Sequence, residues 1–198
     1  GGADKANYTL SLTGSPTTTA QITALGLTIG GSFTAQSKPY DGNTTATIDP
    51  ANLTLITPIT GDNVELIGVT AAFAQANVGT GITVSITAAN LTGAQAANYT
   101  VTTDGAPTAT ADITALTLTI VGTFTADDKI YDGTTAATIN AGGLSLGGTI
   151  IAPGNVSLNA VGTFAQSDVG TDIVVSLTSS TLTGSAAGNY TLNTVGAP

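Results

Sequence analysis

The chain has 198 residues with Lys+Arg 3 against Asp+Glu 12, a net charge of −9, and no Cys, Met, Trp or His. Disulfide, thiolate, zinc-finger and imidazole chemistry are therefore closed to it. The lack of a cationic footprint excludes nucleic-acid binding and electrostatic attachment to an anionic membrane, and no run is long and apolar enough to insert in a bilayer.

The chain opens with a fragment. Tyr8 lies 91 residues before Tyr99, and the same spacing links Phe33 to Phe124, Tyr40 to Tyr131, Phe73 to Phe164, Val78 to Val169 and Tyr99 to Tyr190. Residues 1–23 thus read as the tail of a preceding repeat, 24–114 as repeat 1 and 115–198 as repeat 2. A period of this size marks a tandem array of domains, each large enough for its own core. With no initiator Met and no leader, the chain reads as a segment of something longer.

Repeat 1 begins with Ala24-Leu25-Gly26-Leu27-Thr28-Ile29 and repeat 2 with Ala115-Leu116-Thr117-Leu118-Thr119-Ile120, apolar residues alternating with period two as in a half-buried strand. Ile82–Ile86 and Ile173–Leu177 alternate in the same way, and 44–48, 53–57, 64–69, 98–103 and 108–113 are further strand candidates. Asp41-Gly42 and Asp132-Gly133 predict tight turns with positive φ at the glycine. No helical period reaches three turns. Gln95-Ala96-Ala97 and Asp49-Pro50-Ala51-Asn52 suit a single turn each. The predicted fold is all-β: tandem β-sandwich-like repeats of Greek-key or immunoglobulin-like type, in an extended rod.

At a strict offset of 91, residues 24–107 and 115–198 agree at 41 of 84 positions. Agreement is worst between 58–72 and 149–163, where Asn63-Val64 meets Asn155-Val156 only after a slip of one residue. Between the repeats, Ala106–Leu116 is too apolar and β-branched for a flexible linker, so one strand is expected to run almost directly into the next. Repeat 2 has no equivalent of 108–114 after Pro198. Residues 17–23 carry one that is attached to nothing. The second repeat is therefore expected to lack its last strand, to be supplied by a continuing chain or by a neighbour.

The most distinctive strings are Lys38-Pro39-Tyr40-Asp41-Gly42 and Lys129-Ile130-Tyr131-Asp132-Gly133, with Leu91-Thr92-Gly93 and Leu182-Thr183-Gly184, and Asn98-Tyr99-Thr100 and Asn189-Tyr190-Thr191. Together with the Phe and Val-Gly pairs they resemble the YDG repeat domain. Ala111-Asp112-Ile113-Thr114 fits the family's ending, and Ala20–Thr23 departs from it at Gln21. The resemblance implies a stalk module of secreted bacterial surface proteins, outside the cell, with no catalytic residues and no cofactor. The expected partners are neighbouring repeats of the same chain or copies of itself, and the missing strand, not the resemblance, suggests that such copies would join head to tail into a filament. The alternative is an adhesin module that recognises a glycan or a host protein, for which an exposed aromatic or apolar patch would speak.

The motif residues also carry physical readings of their own. Tyr packs its ring on the core, Asp accepts from the turn backbone, Gly supplies the left-handed conformation, and Lys pairs with the Asp. Because all nine aromatics obey the repeat, they are expected to be buried, with Tyr40 and Tyr131 as core anchors. Lys38 or Lys129 with Asn98 or Asn189 and Asp41 or Asp132 is also the composition of an intramolecular Lys–Asn crosslink, though a surface ion pair explains them equally. Asp127, Asp128, Asp168 and Asp172 would suit calcium, but they align with Gln36, Ser37, Asn77 and Gly81, so solvated acidic surface is the simpler account. Glu65, the one Glu, has no counterpart, and nothing else suggests an enzyme.

Overall fold

The computed structural model of the chain describes residues 3–151 and 155–198. Strands carry the fold, and its only helices are single turns at Lys5–Asn7, Ala96–Asn98 and Ala187–Asn189 among the described residues. In repeat 1 the strands are β1 (Leu25–Gly31), β2 (Thr34–Ala35), β3 (Lys38–Pro39), β4 (Thr45–Ala46), β5 (Ile48–Asp49), β6 (Leu53–Ile56), β7 (Glu65–Phe73), β8 (Gly79–Thr92), β9 (Tyr99–Thr102) and β10 (Thr108–Thr114). Repeat 2 follows with β11 (Leu116–Gly122), β12 (Thr125–Ala126), β13 (Ala136–Ala137), β14 (Ile139–Asn140), β15 (Leu144–Gly147), β16 (Ser157–Asn159), β17 (Gly162–Phe164), β18 (Val175–Ser176), β19 (Thr181–Thr183) and β20 (Tyr190–Asn193).

Each repeat opens on the same three-stranded sheet, β6-β1-β9 in the first and β15-β11-β20 in the second. The opening strand pairs parallel with the Asn-Tyr-Thr strand, Leu25 opposite Tyr99 and Leu116 opposite Tyr190. Alternation puts Leu27 and Ile29 of β1, and Leu118 and Ile120 of β11, into the core. The larger sheet of repeat 1 runs β3-β10-β8-β7-β4. Along β8 the apolar partners Ile82, Val84 and Ile86 face inward, and along β10 so do Ala111 and Ile113. One buried cluster joins these residues to Leu118, Val156, Ala186 and Tyr190 of repeat 2, so the core continues across the junction.

The larger sheet of repeat 2 departs from expectation. Where β7 and β8 form a long hairpin, the second copy has four fragments, β16 to β19, with β17 and β18 in one sheet beside β13 and β16 and β19 in another. Ile173–Leu177, read as a strand, is paired only at Val175–Ser176. The physical reason is the neighbour: β8 is held on its other side by β10, while among the described residues no strand lies on the corresponding side of β18. A ladder with partners on one side alone is shorter and more irregular.

The registers also locate the slip between copies. Glu65 pairs with Thr92 and Ser157 with Thr183, which fixes Ser157 as the counterpart of Glu65 at an offset of 92. The offset returns to 91 by Ala71 and Gly162, which pair with Ala46 and Ala137. Between these points β7 carries an irregularity at Ile67–Ala71, around Gly68 at φ +59°, that β16 and β17 do not share.

Candidate functional site: the Tyr-Asp-Gly turn and the repeat junction

The turn is built by Asp41. Its carboxylate accepts the Asn43 backbone N–H at 3.0 Å, closing an Asx turn that places Gly42 at φ +77°. Lys38 Nζ reaches the same carboxylate at 2.8 and 2.9 Å and donates also to the Asn43 carbonyl at 2.9 Å. Repeat 2 reproduces this with Lys129, Asp132 and the Thr134 carbonyl, and with Gly133 at φ +76°. Each ammonium also sits over a phenylalanine ring, Lys38 at 5.5 Å from Phe73 and Lys129 at 5.6 Å from Phe164.

This geometry sets the charge state. The Lys129 ammonium, helped by the Thr134 N–H and hydroxyl, holds the Asp132 carboxyl down at about 2. Lys38, with lesser help from Asn43, lowers Asp41 in the same direction. Each cation is engaged by its own turn, and among the described residues no hydrogen bond joins it to Asn98 or Asn189.

The tyrosines of the motif part company. Tyr40 is 7 % exposed, as expected of an anchor, whereas Tyr131 is 61 % exposed and anchors nothing. The difference lies in what covers the ring. Tyr40 packs edge to face on Tyr190 of the next repeat, with centroids 5.6 Å apart and planes at 80°, and its N–H donates to the Thr114 carbonyl at the end of β10 at 2.8 Å. Tyr131 receives neither contact. The expectation that every aromatic is buried also fails at Tyr8, 79 % exposed in the leading segment, and is met only halfway by Phe124 and Phe164.

Asn189 completes the junction, a role that its place in the repeated Asn-Tyr-Thr string does not reveal. Its side chain is buried, accepts the Val78 N–H at 2.9 Å and donates to Asn77 Oδ1 at 3.2 Å. Asn98 occupies the same place in repeat 1 and is exposed. The neighbouring Tyr99 turns its hydroxyl back into its own repeat. It donates to Asp62 at 2.6 Å, which pushes the phenol up from its usual value, and accepts the Ile59 N–H at 3.1 Å. Tyr190 accepts the Ile151 N–H in the equivalent way at 3.0 Å.

At the second Tyr-Asp-Gly turn, Asp127, Asp128, Asp168 and Asp172 line one cleft of about 510 Å³ together with Lys129, Tyr131 and Phe164. Among the described residues no three His, Cys, Asp or Glu side chains come together in a group fit for a metal ion. No helix among them is long and apolar enough to cross a membrane.

Comparison with known families agrees with the repeat. The model of the YDG domain matches twice, over residues 23–110 and 114–197. No curated protein and no solved structure matches the chain.

Proposed function

The chain belongs to the YDG domain family, and on that premise we propose that it is a structural stalk or filament module of a bacterial extracellular surface protein, its sandwich-like repeats set end to end as a rod. The observation that carries this reading is the junction. Only Ala115 separates β10, which completes repeat 1, from β11, which opens repeat 2. Tyr40 on Tyr190 and Asn189 on Val78 then clamp the two across a shared core. A connection of one residue with a buried contact set favours a stiff spacer over beads on a flexible string.

A second reading, recognition of a glycan or a host protein, draws on the exposed Tyr131, Ile130, Val169 and Val174. Two of their counterparts in repeat 1, Tyr40 and Val78, meet Tyr190 and Asn189 of repeat 2, however, so contact between repeats accounts for that part of the patch with less.

Small-angle scattering tests the rod. A single repeat should have a radius of gyration near ~12 Å and a compact globule of this length about 16 Å. Two repeats in line, with centres about 40 Å apart, should exceed roughly 20 Å by the same scaling. A value near that of the compact globule would defeat the stalk reading.

A further inference from the structure

A spacer that joins two bodies is pulled from its ends, and its resistance depends on how the strands that take the pull are paired. Tension enters repeat 1 through Ala24 into β1 and leaves through Thr114, the end of β10. The entry strand β1 is hydrogen-bonded to β9, which leads into β10 through the turn at 103–107. The two run parallel, in register from Leu25 opposite Tyr99 to Thr28 opposite Thr102. Entry and exit therefore draw these neighbours in opposite senses along their own axes, and all rungs of the ladder are loaded together. An antiparallel pair in the same place would have both pulled ends on one side and would peel one rung at a time.

We propose that each repeat is a tension-bearing unit, clamped by the parallel pair of its opening strand and its Asn-Tyr-Thr strand. This rests on the stalk reading and gives that stalk a mechanical role. A second hold stands in series with the first. β10 is bound antiparallel to β8, from Thr108 opposite Ser85 to Ile113 opposite Gly79, and parallel to β3 at Lys38–Pro39. Pulled at Thr114, it must slide along both partners at once and draw Ile113, 1 % exposed, out of the core. The junction then passes the pull on without slack. Ala115 alone lies between β10 and β11, and β11 meets β20 in the same parallel register, Leu116 opposite Tyr190 to Thr119 opposite Asn193.

The two clamps differ by one rung. In repeat 2 the hydroxyls of Thr117 and Thr191, on the solvent side of the pair, are hydrogen-bonded across it at 3.2 Å. In repeat 1 the partner of Thr100 is Gly26, which has no side chain to offer and weakens the interior of its strand. A Cβ at Gly26 would lie 3.9 Å from Thr100 Oγ1, an ordinary contact, so the missing rung can be put in place without displacing anything.

Single-molecule stretching of the whole chain tests this. The chain has no Cys, so thiol handles attach only where a cysteine is introduced. Held by its two ends, it should open in two events, each releasing up to about 300 Å of chain. Held instead by handles on a Glu65→Cys, Thr92→Cys double variant, at the open end of the β7–β8 hairpin, it should peel and release no more than about 100 Å. Forced unfolding is governed by the barrier along the direction pulled, so at one pulling speed the end-to-end events should need severalfold more force than the peeling. Gly26→Thr should raise the force of one end-to-end event and leave the peeling force unchanged, a split that a general gain in stability would not produce. Equal forces in the two directions, or a Gly26→Thr variant that moves neither force or both alike, would overturn the proposal. Scattering on the same protein separates the two readings: a rod that yields equally in both directions defeats only the clamp, and a compact chain defeats the stalk.

Discussion

The ring of Tyr40 meets that of Tyr190 edge to face, 5.6 Å between centroids, across the boundary between two repeats. The Tyr-Asp-Gly turn is thus more than a local device, because its tyrosine belongs to the repeat that follows as much as to its own. The same residue type at Tyr131, in the same turn with the same Lys–Asp pair, stands in solvent.

Substitution should separate the two tyrosines. Tyr40→Ala should cost about 3 kcal/mol, in the range for a buried aromatic, and Tyr131→Ala less than about 1 kcal/mol. A double-mutant cycle of Tyr40 and Tyr190 should return a coupling of about 0.5–1.5 kcal/mol, as for other aromatic pairs. Urea melts under conditions where the chain is monomeric make the measurement. Equal losses at Tyr40 and Tyr131 would mean that the neighbour contributes nothing.

Glycine gives a second asymmetry. Gly42 and Gly133 share φ near +77°, so alanine is strained at both and should cost about 1 kcal/mol for the conformation alone. A side chain at Gly133 meets open space, whereas at Gly42 its Cβ would lie 2.9 Å from Cγ2 of Ile151 in the next repeat. Gly42→Ala should therefore destabilise more than Gly133→Ala, and Ile151→Ala in the Gly42→Ala background should recover part of the difference. Thermal melts of the three variants decide it.

The lowered carboxyls predict an acid limit. Asp132 has a folded value of about 2 against an ordinary 3.8, so its contribution to stability is complete above the ordinary value and is lost as the pH falls toward 2. Asp41 acts in the same direction. Lys129→Met should raise the Asp132 carboxyl toward its ordinary value and flatten the fall in stability between about pH 4 and 2. Carbonyl-carbon NMR titration of Asp132 reads the shift, and an unchanged midpoint in the variant would place its cause elsewhere.

Much of this was legible in the residues. Period-two alternation located β1, β8 and β11 because one face of each is buried, and a one-residue error would turn every side chain over. Asp-Gly located the turns, since few other pairs satisfy an Asx turn and a positive φ together. What could not be read was context. Tyr40 and Tyr131 share the Lys-x-Tyr-Asp-Gly string, and the neighbour that packs on one of them makes it core. The role of Asn189 was hidden for the same reason, because its partners Asn77 and Val78 lie more than a hundred residues away. A signal was present in hindsight: the repeated Asn precedes the Tyr that crosses the junction.

The last prediction fills the cleft in cis. A chain extended after Pro198 by Thr-Thr-Thr-Ala-Gln-Ile-Thr should seat that segment against Val175 and Ile173 and extend the ladder of β18. Burying one isoleucine to the extent seen at Ile113 stabilises by about 1.5–3 kcal/mol before the cost of ordering the strand, so the second repeat should melt measurably later. Amide exchange at Val174 and Val175 should slow with it, since both would then lie between two strands. Extension with Thr-Ala-Thr-Ala-Asp-Ile-Thr should stabilise less, because its carboxylate would meet Asp128 and Asp172, and the gap between the two extensions should close as salt rises. If neither extended chain melts later than the original, repeat 2 needs no further strand.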